Sequence, residues 1–511
     1  MQTTLTTLTE NWTPISLSHK VFCAEQVRNN EQAAALTMGC PMFTLMERAG
    51  QAAFNHLKQC WPYARRIVIL VGSGNNGGDG YIVAKLAKAF GWQVSVAAIN
   101  PDGQLTGDAW QAQQNWWAAQ GTVLPWQDVD LSSFDVIVDA LLGTGLSGTV
   151  KANFSQAITA INQADVPVLS IDIPSGLHAD LGYPLGHCVQ ADSTVTFVGK
   201  KIGLTSGQGK SYSGKLIYND LGIGKSFASL AKPVAHLISF AHLPKLAPRA
   251  NHAHKGQFGR LLCIGADQDM PGSIRMTSEA ALRSGAGLVR AYCHSDNRTT
   301  IAMGRPELML SSDNINQQLT WASGLAIGPG LGQNDWGHEL FVHVFNHLMQ
   351  HTKPLVIDAD GLNILAAEKM GLRQRLDNKR VVLTPHPGEA ARLLGCSTTD
   401  IEHNRLQSVQ EIARQYHAVC VLKGAGTMIS NGRHTWICQD GNPGMATGGM
   451  GDVLTGIIAA LLCQGMNATQ AALYGVCLHS AAADKVARQY GQRGMLATDL
   501  FDPLRVLINN P

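Results

Sequence analysis

The sequence predicts an α/β protein of two domains, each with a parallel sheet covered by helices on both faces. Short apolar strands alternate with helical patterns in two successive runs, and glycine-rich turns follow several of those strands. A chain of 511 residues is also too long for a single core. We expect a tail over 1–20, a first domain over 21–225, a linker over 226–244 and a second domain over 245–511.

The elements follow from apolar periodicity and its interruptions. In the first domain we predict helices at 24–36, 43–60 and 80–90, and strands at 66–72, 93–99, 136–142, 168–173 and 193–198. In the second we predict strands at 260–265, 288–293, 324–327, 355–357, 381–383 and 419–422, and helices that include 339–349, 403–416 and 456–465. The linker is placed where prolines accumulate and periodicity is weak.

Composition limits the classes of function. The net charge of +2 gives no general attraction to nucleic acid or to an acidic membrane surface. The eleven cysteines are odd in number and form no Cys-x-x-Cys pair, which favours free thiols in a reducing cytoplasm. The polar N-terminus does not resemble a signal peptide, and no apolar run is long enough to span a bilayer.

Polar side chains and glycines follow three strands of the first predicted sheet. Strand 66–72 leads into Gly72-Ser-Gly-Asn-Asn-Gly-Gly-Asp-Gly80, and Asp139 and the segment Asp172–Ser175 end two later strands. Ligands of open α/β sheets bind at the carboxyl ends of strands, so these segments are expected to form one phosphate-binding site. Oxygens of Asn76, Asp139 and Ser175 are suited to a monovalent cation, although each Asp or Ser taken singly is better explained as a cap or turn.

Near the C-terminus, Gly448, Gly449 and Gly451 lead into Asp452 and an apolar helical pattern. Glycines let backbone N–H groups surround a phosphate, and a carboxylate there is placed to take a proton from an attacking hydroxyl. A glycine turn capped by an aspartate explains the motif alone equally well. Upstream, the motif that contains Lys423 suits a nucleotide phosphate, and the carboxylates of Asp358, Asp360 and Glu389 suit Mg²⁺.

Five segments of the first half carry a family resemblance: Leu45-Met-Glu-Arg-Ala-Gly50, the Asn-Asn-Gly-Gly-Asp-Gly loop, the Asp139 motif, the Asp172 motif, and Phe197-Val-Gly-Lys-Lys-Ile-Gly-Leu204. Residues 20–225 thereby resemble the NAD(P)HX epimerase family. The resemblance implies a Rossmann-like three-layer sandwich that uses K⁺ to interconvert the R and S hydrates of NADH and NADPH (NADHX and NADPHX).

By this resemblance, Asn76, Asp139 and Ser175 are the potassium ligands, and Asp172 and Lys201 are the catalytic pair. The family has Gly-Ala-Pro-Lys where this chain has Val198-Gly-Lys-Lys, so Lys200 is an alternative to Lys201. The hydrate-binding residues implied are Asn75, Asn76, Gly77, Gly78, Asp79, Gly143, Thr144, Gly145, Leu146, Ser147, Gly148, Thr149 and Asp172.

Six ordered motifs carry a second resemblance: His254-Lys-Gly256, Gly328-Pro-Gly-Leu-Gly332, Asp358-Ala-Asp-Gly-Leu-Asn363, Thr384-Pro-His-Pro-Gly-Glu389, Leu422-Lys-Gly-Ala-Gly-Thr427 and the motif ending at Asp452. Residues 245–505 resemble the NAD(P)HX dehydratase branch of the ribokinase-like α/β sandwiches. That family dehydrates the S hydrate with ADP or ATP and Mg²⁺, and forms fused to an epimerase resemble the ADP-using type.

The second resemblance implies that Asp452 is the catalytic residue. It also implies that the hydrate is bound by Ser273, Gly330, His386 and Asp452, and the nucleotide by Lys423, Gly424, Ala425, Gly426, Thr427 and Gly451. Ser273 is a departure, since the family usually has alanine there.

Three alternatives differ from this interpretation. A ribokinase-like small-molecule kinase would share the C-terminal motif but release a stable phosphorylated product. A binding module would sense a dinucleotide without turnover. A dehydrogenase is disfavoured, because the first glycine loop lacks the G-x-G-x-x-G spacing. The preferred interpretation is a bifunctional cytoplasmic enzyme, an isomerase and a lyase, expected to form a homo-oligomer and to bind neither nucleic acid nor membrane.

Overall fold

The computed structural model describes residues 16–367 and 380–509. The chain divides into two compact units, one ending at His236 and the other beginning at Leu237. Most of the tail predicted over 1–20 lies outside the described residues. The stretch predicted as a linker contains a short helix and a strand, β10 (Ala235–Ile238), in which the boundary falls.

The first unit is a sheet of seven strands, all paired in parallel in the order β4-β3-β2-β5-β6-β7-β9. A short strand, β1, lies apart from that sheet and pairs in parallel with β8. The strands are β1 (Lys20–Phe22), β2 (Arg66–Val71), β3 (Gln93–Ala98), β4 (Val123–Pro125), β5 (Val136–Ala140), β6 (Val168–Ile171), β7 (Ser193–Phe197), β8 (Lys200–Lys201) and β9 (Lys215–Asn219). The helices are α1 (Ala24–Thr37), α2 (Met42–Cys60), α3 (Asn75–Ala89), α4 (Gly107–Ala118), α5 (Ala152–Gln163), α6 (Gly207–Ser213) and α7 (Gly224–Leu230).

Both faces of this sheet are buried, as the unbroken apolar strands predict. Along β2, Ile67 and Ile69 belong to one core cluster, whereas Val68 and Leu70 belong to another. Successive side chains of a strand point to opposite faces, so two separate cores mean helices on each side of the sheet. The first unit is therefore the predicted three-layer sandwich.

The second unit has seven strands paired in parallel in the order β13-β12-β11-β14-β15-β16-β17, followed by the antiparallel strands β18 and β19. The strands are β11 (Arg260–Ile264), β12 (Leu288–Tyr292), β13 (Met309–Ser311), β14 (Gly324–Ile327), β15 (Leu355–Ile357), β16 (Val381–Leu383), β17 (Val419–Leu422), β18 (Met428–Ser430) and β19 (Thr435–Cys438). The helices are α8 (Pro271–Arg283), α9 (Arg298–Ala302), α10 (Ile315–Trp321), α11 (Asp335–Gln350), α12 (Ala359–Ala367), α13 (Pro387–Leu394), α14 (Thr398–His403), α15 (Arg405–Gln415), α16 (Met450–Cys463), α17 (Ala468–Tyr490) and α18 (Phe501–Asn509).

Two helices begin earlier than the sequence predicts. The segment predicted as a loop after β2 is helical from Asn75, and α16 begins at Met450 instead of Gly456. Glycine lowers helix propensity, but here the glycines allow the close packing that holds these first turns in place. The helix predicted over 403–416 is confirmed as α15, and a separate short helix, α14, precedes it.

Among the described residues, no helix combines the length and the hydropathy that crossing a bilayer requires.

Candidate active sites

The first site lies at the carboxyl ends of the neighbouring strands β2, β5 and β6. A cavity of about 580 Å³ opens there, and its lining includes Asn76, Asp79, Asp172 and Lys201. Gly72 ends β2 so close to β5 that a Cβ atom on it would lie 1.9 Å from the backbone oxygen of Leu141. The three strand ends predicted from the sequence therefore do converge, because the order of strands brings them together.

Asp139 and Ser175 form a buried hydrogen-bonded pair beneath this cavity. Neither is exposed to solvent, and the Ser175 hydroxyl donates to the Asp139 carboxylate at 2.5 Å. Asp139 also accepts from the Ser170 hydroxyl and from the backbone N–H of Ser175, both at 2.8 Å. Burial raises the pKa of Asp139, and these hydrogen bonds oppose that rise.

Asn76 is the residue of this site whose side-chain amide lacks hydrogen-bond partners among the described residues. Both atoms of its side-chain amide are buried, and neither has a hydrogen-bond partner among the described residues. A Cβ atom on Gly143 would lie 3.3 Å from the Asn76 Cβ, and the neighbouring Leu142 N–H donates to Ser175 at 2.8 Å. Residues 142–143 thus connect the three predicted cation ligands: this segment contacts Asn76 and Ser175, and Ser175 in turn bonds to Asp139. A buried amide without a partner is unfavourable unless a ligand completes it.

Asp172 and Lys201 are in direct contact on the wall of the cavity. The Lys201 ammonium donates to Asp172, and also to the Thr196 hydroxyl at 3.2 Å and the Phe197 carbonyl at 3.1 Å. Lys200, on the opposite side of β8, lies over the Tyr218 ring at 5.7 Å. Lys201, not Lys200, is therefore the lysine at this site.

Two cavity residues have strained backbones. Asp172 has φ +64° and Val198 has φ +61°, a region that non-glycine residues seldom occupy and that is least favourable for a β-branched side chain. Val198 is held there by a hydrogen bond from its N–H to the Asn219 carbonyl at 3.0 Å. Strain of this kind persists where the surrounding structure fixes it, which is common at functional sites.

The predicted hydrate-binding residues divide into three groups. Asn75, Asn76, Asp79, Asp172 and residues 143–147 line the cavity. Gly77 and Gly78 are packing positions: a Cβ atom would lie 2.1 Å from the Gly72 oxygen and 2.7 Å from Met46, respectively. Gly148 and Thr149 continue the loop as exposed residues.

The second site is a cluster of charges at the N-terminus of α16. The Lys423 ammonium lies 2.8 Å from an Asp358 oxygen and 3.6 Å from a Glu389 oxygen. The Thr455 hydroxyl donates to the other Asp358 oxygen at 2.7 Å. Burial alone would lower the pKa of Lys423, but Asp358 and Glu389 outweigh it and the pKa is raised. The lysine is thus a fixed cation.

Asp452 lies in the first turn of α16, after Gly449 with φ +87°. Burial and then the charge of Asp358 raise the pKa of Asp452 to about 7, against Lys423 and a hydrogen bond from Ser273, which both lower it. A carboxylate that titrates near neutrality can accept a proton from a hydroxyl group and release it again. Asp452 therefore has the properties of a general base.

The remaining predicted residues meet around Asp452 and Lys423. Gly330 has φ +61°, and a Cβ atom on it would lie 3.3 Å from the Ser273 Cβ. A Cβ atom on Gly451 would lie 3.3 Å from the Lys423 nitrogen. The structure brings together Gly330, Ser273, Asp452, Gly451 and Lys423, although they are distant in sequence.

His386 has a structural role in addition to the one predicted. Its Nδ1 accepts the backbone N–H of Gly388 at 3.0 Å, which caps α13, and its Nε2 lies 3.2 Å from Glu389. Burial and then the charge of Lys423 lower the pKa of His386, so the ring is neutral at neutral pH. About half of the side chain is exposed, which leaves it accessible to a ligand.

The three carboxylates expected near Mg²⁺ differ in the groups that they contact. Asp358 and Glu389 both contact Lys423, whereas Asp360 accepts hydrogen bonds from the Gly332 N–H and the Gln333 side chain, each at 3.0 Å. Asp360 therefore stabilises the loop after β14. Within the described ranges, these three carboxylates do not gather into a preformed metal cluster.

Arg405 is a residue that sequence analysis missed. It is buried at the start of α15 and donates to the carbonyls of Leu422 at 3.3 Å and Lys423 at 3.0 Å. The loop it holds turns through Gly424 with φ +137° and Gly426 with φ +65°. Within that loop the Thr427 hydroxyl donates to the Gly424 carbonyl at 3.0 Å. Arg405 thus fixes the loop predicted to bind nucleotide, and no motif marks it.

Comparison with known proteins gives matches over both units. Residues 261–505 match a family described as NAD(P)H-hydrate dehydratase, and residues 43–203 match one described as YjeF-related protein N-terminus. The chain is 44% identical over 500 residues to the bifunctional NAD(P)H-hydrate repair enzyme Nnr of Escherichia coli (strain K12), covering 97% of this chain and 95% of that protein.

The Coxiella burnetii protein of the same name is 44% identical over 490 residues, covering 95% of this chain and 98% of its own. Among solved structures, the ADP/ATP-dependent NAD(P)H-hydrate dehydratase from Bacillus subtilis, co-crystallised with ATP/Mg²⁺, is 31% identical, covers 52% of this chain and 94% of its own, and has a TM-score of 0.46.

Proposed function

The chain belongs to the family of bifunctional NAD(P)H-hydrate repair enzymes, and we propose that its two units carry out the two steps of that repair. The first unit interconverts the R and S hydrates of NADH and NADPH. The second dehydrates the S hydrate at the expense of ADP, giving NAD(P)H, AMP and phosphate. The observation that carries this proposal is Asp452, a carboxyl group that titrates near neutrality beside the fixed cation Lys423.

In the second unit, Asp452 removes the proton from the ring hydroxyl of the hydrate, and the resulting oxygen attacks the terminal phosphate of ADP. Backbone N–H groups of Gly449 and Gly451, at the positive end of α16, stabilise charge on the transferring group. Phosphate then leaves as the ring nitrogen donates its electron pair, and loss of the neighbouring carbon's proton restores the dihydropyridine. Phosphorylation is needed because hydroxide is a poor leaving group.

We assign ADP to the loop of Lys423, Gly424, Ala425, Gly426 and Thr427. Exposed backbone at Gly424 and Ala425 can approach phosphate oxygens, since Arg405 fixes the loop from the buried side. The carboxylates of Asp358 and Glu389 lie beside the ammonium of Lys423, and carboxylate oxygens are the ligands that a divalent cation such as Mg²⁺ prefers. Mg²⁺ bound there would neutralise charge on the nucleotide phosphates.

In the first unit, we assign K⁺ to Asn76, Asp139 and Ser175. The unsatisfied Asn76 amide and the buried Asp139 carboxylate fit an oxygen-liganded cation. Bound there, the ion would supply positive charge beside the loop over 143–147 that we expect to hold the hydrate. Asp172 takes or gives a proton at the oxygen bound to the reacting carbon, and Lys201 holds it in place.

The eleven cysteines are free thiols, which supports a reducing cytoplasmic setting.

One experiment tests both steps: a mixture of R and S hydrates is incubated with ADP or ATP, with and without K⁺, while NADH absorbance is followed. The wild-type chain should convert the whole mixture, Asp172→Asn only the S portion, and Asp452→Asn none of it. A stable phosphorylated product, or full recovery by Asp452→Asn, would contradict the proposal.

A further inference from the structure

A further carboxyl group, that of Glu31, lines the cavity of the first unit, and its charge interacts with that of Asp172. Glu31, on α1, lines the same cavity as Asp79, Asp172 and Lys201. It comes from a different element from each of them, since α1 precedes the main sheet, Asp79 lies on α3 and Asp172 follows β6. The mechanism above gives Glu31 no role.

Two carboxyl groups of this cavity have raised pKa values. Burial raises the pKa of Glu31 to about 6, with Lys201 and Arg28 opposing that rise and Asp172 adding to it. Burial also raises the pKa of Asp79 well above its usual range, with Asp172 and Glu31 contributing. Asp172, in contrast, is paired with the Lys201 ammonium. Glu31 is thus more easily protonated than an ordinary glutamate and lines the same cavity as the Asp172–Lys201 pair, so Glu31 and Asp172 can act as proton donor and proton acceptor.

Epimerisation at the hydrated ring carbon needs such a pair. That carbon carries a hydroxyl group and the ring nitrogen, and its configuration inverts if the hydroxyl group leaves and water adds to the other face. A general acid must protonate the leaving oxygen, and a general base must take a proton from the incoming water. A single carboxylate held by a lysine cannot do both at once.

We propose that Glu31 is the second proton-transfer residue of the epimerase site and acts as the partner of Asp172. Glu31 donates its proton to the leaving hydroxyl group as the C–O bond breaks, and the ring nitrogen's electron pair forms a C=N bond. Water then adds to the carbon, its proton passes to Asp172, and the electron pair returns to nitrogen. Solvent afterwards takes the proton from Asp172 and reprotonates Glu31. This inference rests on the proposed epimerase function.

The charge of the cavity agrees with this route. Its ionisable lining comprises four carboxyl groups (Glu31, Asp79, Asp108 and Asp172) and two cationic side chains (Arg28 and Lys201). The ring becomes positively charged when the C–O bond breaks, and the carboxylate that Glu31 becomes on donating its proton stabilises that charge.

The test compares Glu31→Gln with Glu25→Gln in the full chain. Glu25 is an exposed carboxylate on the same helix, so its replacement removes the same charge away from the cavity. Conversion of R to S hydrate is measured from pH 5 to pH 9, corrected for the rate without enzyme, and S-hydrate binding and ADP-dependent dehydration are measured alongside.

Glu31→Gln is expected to lower the epimerisation rate by about 100-fold or more. It should also abolish the fall of kcat/KM above a pH of about 6 that the wild type shows, because an acid works only while protonated. Hydrate binding and dehydration should be unchanged, Glu25→Gln should behave as wild type, and Glu31→Asp should restore part of the rate. In H₂¹⁸O, each epimerisation should introduce one ¹⁸O atom.

Wild-type epimerisation and an unaltered pH profile in Glu31→Gln would overturn the inference, as would epimerisation without ¹⁸O uptake. Loss of hydrate binding together with activity would assign Glu31 to binding and would also overturn it. If the wild-type chain itself fails to epimerise the hydrates, the proposed function fails, which is a separate result.

Discussion

The pH dependence of dehydration, and its response to Ser273→Ala, tests the assignment of Asp452 most directly. Burial and the charge of Asp358 raise the pKa of Asp452 to about 7, and Lys423 and Ser273 limit that rise. A base acts only when it is ionised, so the wild-type rate should rise with pH up to about 7 and level off above it. Removing the Ser273 hydroxyl removes one group that stabilises the ionised form, and the midpoint should move to higher pH.

The size of the shift follows from the strength of the lost hydrogen bond. A hydrogen bond to a charged group contributes about 1.5–3 kcal/mol, and one pKa unit corresponds to about 1.4 kcal/mol. Ser273 is only partly buried, so water will replace some of that interaction, and we expect a shift of about one unit. With that shift, the rate at pH 7 falls about fivefold, whereas the rate at pH 9 changes by only about a tenth.

The assay is the initial rate of NADH recovery from purified S hydrate at saturating ADP, measured from pH 5.5 to pH 9. Ser295→Ala, an exposed serine of the same unit, is the control and should leave the profile unchanged. A midpoint that stays in place or moves to lower pH in Ser273→Ala would refute the argument. A wild-type rate that does not rise with pH near neutrality would also refute it.

Three further predictions concern the potassium site, the strand ends and the nucleotide loop. Asn76→Ala should raise the K⁺ concentration that half-activates epimerisation by roughly tenfold or more, with dehydration unaffected as the internal control. Gly72→Ala should destabilise the first unit by about 1–3 kcal/mol in denaturant unfolding, because its Cβ atom would overlap a backbone oxygen at 1.9 Å. Gly74→Ala, with no described heavy atom within 4 Å, should be neutral, and equal effects of the two would contradict the packing argument. Arg405→Met should raise the KM for ADP about tenfold, because it releases the loop that Arg405 holds. Arg414 is an exposed arginine on the same helix, and Arg414→Met should leave the KM unchanged. An unchanged KM in Arg405→Met would show that the loop needs no such support.

Much of both sites was predictable because apolar strands and their polar ends are local in sequence. The segment at Asp139 shows this: a continuous apolar run predicts a buried strand, and the acidic residue at its end marks the ligand edge of the sheet. The alternation of strand and helix patterns also predicted the parallel sheets and the approximate number of strands in each. Such patterns are readable because the periodicities of helices and strands differ clearly.

Residues that reach a site from distant elements were not predictable. Glu31 and Arg405 belong to no motif and lie on helices that carry other charged residues, where a charged residue usually marks a solvated face. Only the packing of α1 and α15 brings them to their sites. The helical start at Asn75 was missed for a related reason: glycine-rich sequence indicates a loop locally, but close contact of Gly77 with Gly72 fixes a helix.

The left-handed backbone of Asp172 has a consequence for how this position can vary. Glycine would adopt φ +64° without strain, so the backbone alone would favour glycine at this position. Glycine would also leave the buried Lys201 ammonium without its carboxylate partner, and an uncompensated buried charge is strongly destabilising. A redesign of this position for stability would therefore replace Asp172 and Lys201 together, and the resulting chain would lose its first activity.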